Sequence, residues 1–143
     1  GLPEAARARV LPFIRAWAES AASFSGHDVF SGYAQSMALR KATEQATRRF
    51  DYVLSPTAPI AAFDAELPSP TNDPERPFEH IAFTLPYNMS EQPASSINCG
   101  FTSRGLPIGL QIAGRRFDDL GVLQVSRAWE KMRPQQRAWP DGA

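Results

Sequence analysis

Apolar positions recur with a helical period over residues 3 to 23, where Val10, Ile14, Trp17 and Ala21 space out an Ala-, Arg- and Glu-rich stretch. Pro12 interrupts that period. Its missing N–H and its ring predict a kink, or two short helices, near residues 11 to 13. Ser23-Phe-Ser-Gly26 is a break, after which Ser25 stands three residues before Asp28 in the manner of a capping box. A second helix is predicted from there to about Arg49, with Phe30, Tyr33, Ala34, Met37 and Ala38 as its apolar stripe. The period then changes: Tyr52 to Ser55 reads as a short buried strand stopped by Pro56 and Pro59.

Residues 56 to 80 hold six prolines among Ser, Thr, Asn and acidic residues, which suppresses helix and strand and predicts a long surface loop. Regularity returns with two strands, Ala94 to Phe101 and Leu106 to Ala113. Thr102-Ser-Arg-Gly105 separates them as a hairpin turn in which Gly105 takes positive φ. Asp118 caps a last helix over 119 to 133. One face of it carries Val122, Val125, Ala128, Trp129 and Met132, and Leu120 and Leu123 lie on another, so cover on two sides is expected. Residues 134 to 143, with Pro134 and Pro140, read as a tail. The fold class is α/β in one domain over 1 to 143: a small mixed sheet of the 52 to 55 strand and the 94 to 113 hairpin, covered by the N-terminal helices and the last helix.

Charge and composition narrow the function. Fifteen basic and fifteen acidic residues give a net charge of +0, so no global field gathers nucleic acid or coats an anionic membrane. One cysteine and two histidines exclude an internal disulfide and a closed four-ligand zinc site, and no cofactor motif is present. No apolar run approaches the ~20 residues that span a bilayer, and a cytoplasmic protein is expected. The chain starts on glycine in helix-forming sequence, which raises the expectation that it is part of something longer.

The candidate nucleophiles are poorly equipped. Cys99 lies in a predicted strand without a nearby cation in sequence, which favours a buried, inert thiol. Ser95 and Ser96 lack the flanking glycines that expose a nucleophile on a tight turn. His27 beside Asp28 reads as a helix-start residue, and His80, after Glu79 at the end of the proline-rich loop, as a surface histidine or a substrate contact. Lys41 and Lys131 read as solvated helix lysines, and Gln111 as a buried hydrogen-bonding side chain.

The run from Pro93 to Asp119 nevertheless resembles the C-terminal part of amidase signature family enzymes. It keeps Asn88, Pro93-Ala94, Cys99-Gly100, Gly105-Leu-Pro107, Gly109-Leu-Gln111, Gly114 and Phe117-Asp118 in the family's order and spacing. The proline common before the Cys-Gly pair is Asn98 here. Phe50-Asp-Tyr-Val-Leu-Ser-Pro-Thr57 is similar to the family's strand leading into a Thr-Pro loop, so the resemblance covers nearly the whole chain. It implies hydrolysis of carboxamide C–N bonds through an acyl-enzyme formed on a Ser, with a bridging cis Ser, a Lys base and a Gly-Ser-rich oxyanion loop. All of these lie upstream of the matched part, so no catalytic residue is expected in this chain, and the fragment alone is expected to be inactive. The segment 79 to 89 corresponds to the family's pocket region, making Phe83, Thr84 and Asn88 pocket-wall candidates.

The resemblance further implies a small-molecule amide substrate for the full enzyme and no cofactor. A fragment of such a fold is expected to self-associate through an open sheet edge. The alternatives are a stand-alone, non-catalytic interaction or regulatory module, part of a glutamyl-tRNA amidotransferase A-type subunit, or catalysis by Cys99 or Ser95 within the chain itself.

Overall fold

A computed structural model describes residues 3–133; the predicted tail, 134 to 143, lies outside the described residues. Pro12 divides the first helical stretch into α1 (Glu4–Arg7) and α2 (Pro12–Ser20), taking the first position of α2, where its absent N–H costs nothing. A 3₁₀ turn follows at Ala21–Ser23. Helix α3 (Gly26–Thr47) opens on the capping box: Ser25 Oγ accepts from the Asp28 N–H at 3.2 Å, and Asp28 Oδ2 accepts from the Ser25 N–H at 2.8 Å. The Ser25 hydroxyl, and after it the backbone N–H, holds the Asp28 carboxyl below its ordinary range.

Strand β1 (Tyr52–Pro56) is followed by the proline-rich excursion, which carries no helix or strand before a 3₁₀ turn at Glu79–Ile81. Trp17 meets Phe78 edge to face at 5.1 Å, tying α2 to the end of that excursion. Helix α4 (Leu85–Ser90), strand β2 (Ala94–Phe101), strand β3 (Pro107–Gly114) and helix α5 (Asp119–Met132) complete the chain.

The sheet order is β1-β3-β2, and both ladders are antiparallel. The expected α/β class holds, but the sheet is not mixed among the described residues. A five-residue connection, 102 to 106, can only return β2 antiparallel as β3, and β1 joins the other edge of β3 in the same sense. In that turn Gly105 has φ 83°, and the Thr102 N–H and carbonyl bond Leu106 and Gly105 at 2.8 and 2.9 Å. A bulge between Asn98 and Gly100 interrupts the β2 ladder and turns Cys99 outward, so the thiol is exposed where a buried one was expected.

Strand β3, paired on both sides, carries the densest packing. Ile112 and Ala113 are each 1% exposed, and α5 lays Val122 beside the sheet. Helix α5 is the main cover; α3 lies along α4 instead of roofing the sheet. The stripe Phe30, Tyr33 and Met37 on α3 is therefore exposed, Phe30 at 70%, and so are Leu120 and Leu123 on α5.

The start of α5 is a polar knot. Asp118 caps the helix by accepting from the Gly121 N–H at 3.1 Å, and its other oxygen accepts from the Tyr52 hydroxyl of β1 at 2.9 Å. A β-carbon on Gly121 would run into both of these partners, so only glycine fits there. Further along, Ser95 and Ser126 share a hydroxyl bond at 2.7 Å, and Trp129 Nε1 donates to the Asn98 carbonyl at 3.2 Å.

Asp118→Ala should cost about 1 kcal/mol through the lost cap and should also move the Tyr52 titration. The Asp118 hydrogen bond, followed by burial, raises the Tyr52 phenol above its ordinary value. Its contribution is therefore present below the unfolded phenol value of about 10 and lost as pH rises through the higher folded value. Tyrosinate absorbance should show the Tyr52 transition returning toward the ordinary value in Asp118→Ala; an unmoved transition contradicts the assignment.

Candidate functional site

Strand alternation divides the sheet into two chemically different faces. Leu54, Ile112 and Ser95 stand opposite one another in the register, as do Ser55, Gln111 and Ser96. Ile112 and Ser95 of the first set lie under α5, where Ser95 meets Ser126, while Leu54 on β1 is exposed where a buried strand was expected. The second gives the other face a row of polar side chains. Ser95 and Ser96 thus point to opposite sides and cannot act as a pair.

On the polar face lies a cleft of about 790 Å³, walled by residues 56 to 62, by Phe83 and by the start of the hairpin. Its floor is a hydroxyl pair, Thr57 Oγ1 and Ser96 Oγ, 2.6 Å apart over Gly109. The Thr57 N–H donates to the Gly109 carbonyl at 2.9 Å, extending the β1 ladder past Pro56. A β-carbon on Gly109 would stand 2.6 Å from Thr57 Oγ1 and 3.0 Å from Ser96 Oγ, so glycine is what lets the pair close.

Gln111 fastens the Phe83 wall to the sheet. At 3% exposure, its Nε2 donates to Ser55 Oγ at 3.0 Å and to the Phe83 carbonyl at 2.8 Å. The buried hydrogen-bonding role read from the sequence is what the geometry shows.

The pocket-wall candidates separate. Phe83 lines the cleft. Thr84 precedes α4 in helical conformation and donates through Oγ1 to the Ile81 carbonyl at 3.1 Å, and Asn88 sits exposed on α4. Sequence reasoning weighed Ser96 only as a nucleophile and did not single out Thr57. Their signal was the shared alternation of Ser55, Thr57, Ser96, Gly109 and Gln111, visible only once the strands are in register.

The other candidates stand apart from the cleft. His27 lies in the first turn of α3, 3.5 Å from Ser31 Oγ. His80 packs edge-on against Phe63 at 5.6 Å, with Nδ1 buried and unpaired among the described residues. Lys41 and Lys131 are exposed helix lysines, as expected.

Chemically, the cleft offers hydroxyls between apolar walls. None of its lining side chains is an acid, a histidine, a lysine or a thiol, so nothing there activates the Thr57 or Ser96 hydroxyl as a nucleophile. The hydroxyl pair can still donate to and accept from a polar group entering a cleft otherwise bounded by Pro59, Ile60, Phe83 and Ile108. Among the described residues no group of three His, Cys, Asp or Glu side chains is placed to hold a metal.

Comparison with known proteins decides the family. A profile described as Amidase matches residues 4–123. The chain belongs to the Amidase family. The A-type subunit of glutamyl-tRNA(Gln) amidotransferase from Myxococcus xanthus is 42% identical over 93 residues, 65% of this chain and 19% of that protein. The crystal structure of the same-named subunit from Thermotoga maritima superposes with a TM-score of 0.62 at 32% identity, covering 94% of this chain and 28% of that one. A bacterial aryl acylamidase of the amidase signature enzymes gives a TM-score of 0.72 at 26% identity, over 87% of this chain and 27% of that one. The chain thus spans about a fifth of the length of the curated relatives it matches.

Gln111→Leu should cost about 1–3 kcal/mol, since it leaves the Phe83 carbonyl and the Ser55 hydroxyl without their donor. Chemical denaturation measures the loss. A cost within error of zero would show that the Phe83 wall is held by other contacts.

Proposed function

We propose that this chain is the C-terminal frame of an amidase that hydrolyses carboxamide C–N bonds, and that its cleft holds the non-reacting part of a small-molecule amide. The observation that carries the reading is the cleft itself, a walled space with a hydroxyl floor and no activating group, on a family member that lacks any nucleophile–base pair at that site.

In this reading a Ser Oγ on polypeptide outside this chain attacks the amide carbonyl, with a Lys taking its proton. The C–N bond breaks as the amine leaves with a proton, and water then hydrolyses the ester to the carboxylate. The likeness to an aryl acylamidase of the amidase signature enzymes supports that chemistry. The reading places the enzyme in the cytoplasm. Among the described residues no helix is long and apolar enough to cross a membrane.

Two measurements test the proposal. Purified alone, the chain should release neither ammonia nor amine from aliphatic or aromatic carboxamides; turnover that survives removal of contaminants and is lost in Ser96→Ala would overturn it. In an amidase joining this chain to the Ser- and Lys-bearing part of the family fold, Thr57→Val should raise KM roughly three- to tenfold with little change in kcat. An equal fall in kcat with KM unchanged would instead place Thr57 at the reacting atoms.

The same reading accounts for the surface. Strands β1 and β2 are open edges on either side of β3, and the apolar stripe of α3 and Leu120 and Leu123 on α5 are uncovered. We propose that the isolated chain self-associates through these edges. Sedimentation at high concentration should reveal dimers or larger species, and a clean monomer argues against it.

A further inference from the structure

A second cavity, of about 640 Å³, opens between α3 and the turn from β3 to α5, and shares no lining residue with the cleft. Five cations face it: Arg40 and Lys41 from α3, Arg48 at its C-terminal cap, and Arg115 and Arg116 from the turn. A chain of net charge +0 has gathered a third of its fifteen basic side chains at one concavity.

The counter-charges do not cancel them. Glu91 accepts from both ends of the Arg40 fork at 2.8 and 3.0 Å and also pairs with Arg116. Asp51 pairs with Arg115 at 3.0 Å, and Glu44 lies in the wall. Five cations against three carboxylates leave an excess of positive charge. Lys41 and Arg48 form no ion pair among the described residues.

The polar floor is already satisfied. Ser90 Oγ donates to Gln92 Oε1 at 2.8 Å, and Gln92 Nε2 donates to the Gly114 carbonyl at 2.9 Å and to Thr47 Oγ1 at 3.3 Å. The floor is therefore held by its own bonds, and Lys41 and Arg48 are the cations left over for a ligand. The Arg40–Glu91 fork also shows that this rim already takes a planar oxyanion in bidentate geometry.

We propose that this cavity binds a small, multiply charged oxyanion of the phosphate-ester class, with Lys41 and Arg48 supplying the unpaired charge and donors, while Arg40 and Arg116, held by Glu91, and Arg115, held by Asp51, add to the positive field around them. The volume falls within the roughly 300–1,000 Å³ of small-molecule sites, which selects a small ligand over a polymer. A phosphate concentrates about −1.5 to −2 on one tetrahedral centre, matching a local excess that a single carboxylate would only half neutralise. The inference stands apart from the amidase reading and survives if that reading fails.

Isothermal titration with inorganic pyrophosphate at constant ionic strength tests it. Binding is expected, at least about tenfold weaker in the Lys41→Gln/Arg48→Gln double variant and unchanged in Arg127→Gln, which removes an arginine on α5 away from the cavity. Circular dichroism confirms that α3 is retained, and Lys41→Gln alone, at an exposed position, should show a partial loss of affinity. No binding, equal affinity in the double variant, equal loss in Arg127→Gln, or citrate binding as tightly as pyrophosphate would each overturn the proposal.

Discussion

Everything in this structure is referred to one strand. β3 is paired on both edges, so its alternation is imposed on β1 and β2, and a slip of one residue in either ladder would exchange the faces of the sheet. Ile112 faces α5 and is sealed there; Gln111, one residue earlier, faces the other way and is buried by hydrogen bonds. The apolar contact fixes the register, and the register delivers Thr57, Ser96 and Gly109 to one cleft floor. That order of cause explains why a polar cleft can rest on a strand whose companion face is among the best-packed parts of the molecule.

The helix over β3 is secured at both ends by polar bonds to the strands. Asp118 joins the start of α5 to Tyr52 on β1, and Trp129 joins its last turns to the Asn98 carbonyl on β2. Between them Ser126 Oγ donates to the Val122 carbonyl at 2.7 Å, which leaves it free to accept from the Ser95 hydroxyl at 2.7 Å. Asn98 uses its side chain to bridge the bulge, donating to the Gly100 carbonyl at 3.0 Å. A proline there could not make that bond.

Local signals in the chain are legible where the physics is local. The Ser25–Asp28 capping box, the division at Pro12, the Gly105 turn and the Asp118 cap each depend on residues within a few positions of one another, and each is where the pattern puts it. Burial is less legible. The Phe30, Tyr33 and Met37 stripe is apolar by its spacing, yet periodicity gives a direction and not a partner, and here that face is uncovered. Cys99 is expected inside because strands bury cysteine; the bulge at Asn98 and Gly100 rotates it out.

Sequence alone therefore determined α2, α3, α5, the hairpin and the family, since these rest on spacing, turn chemistry and residue order, while the short α4 was not among the predicted elements. Only the tertiary structure decided that the sheet is wholly antiparallel, that Phe83 rather than Thr84 or Asn88 lines the cleft, and that Thr57 and Ser96 meet. The reason is physical: a hydroxyl pair formed by residues 39 positions apart exists only when two strands share a third between them, and no local preference of either residue encodes that distance.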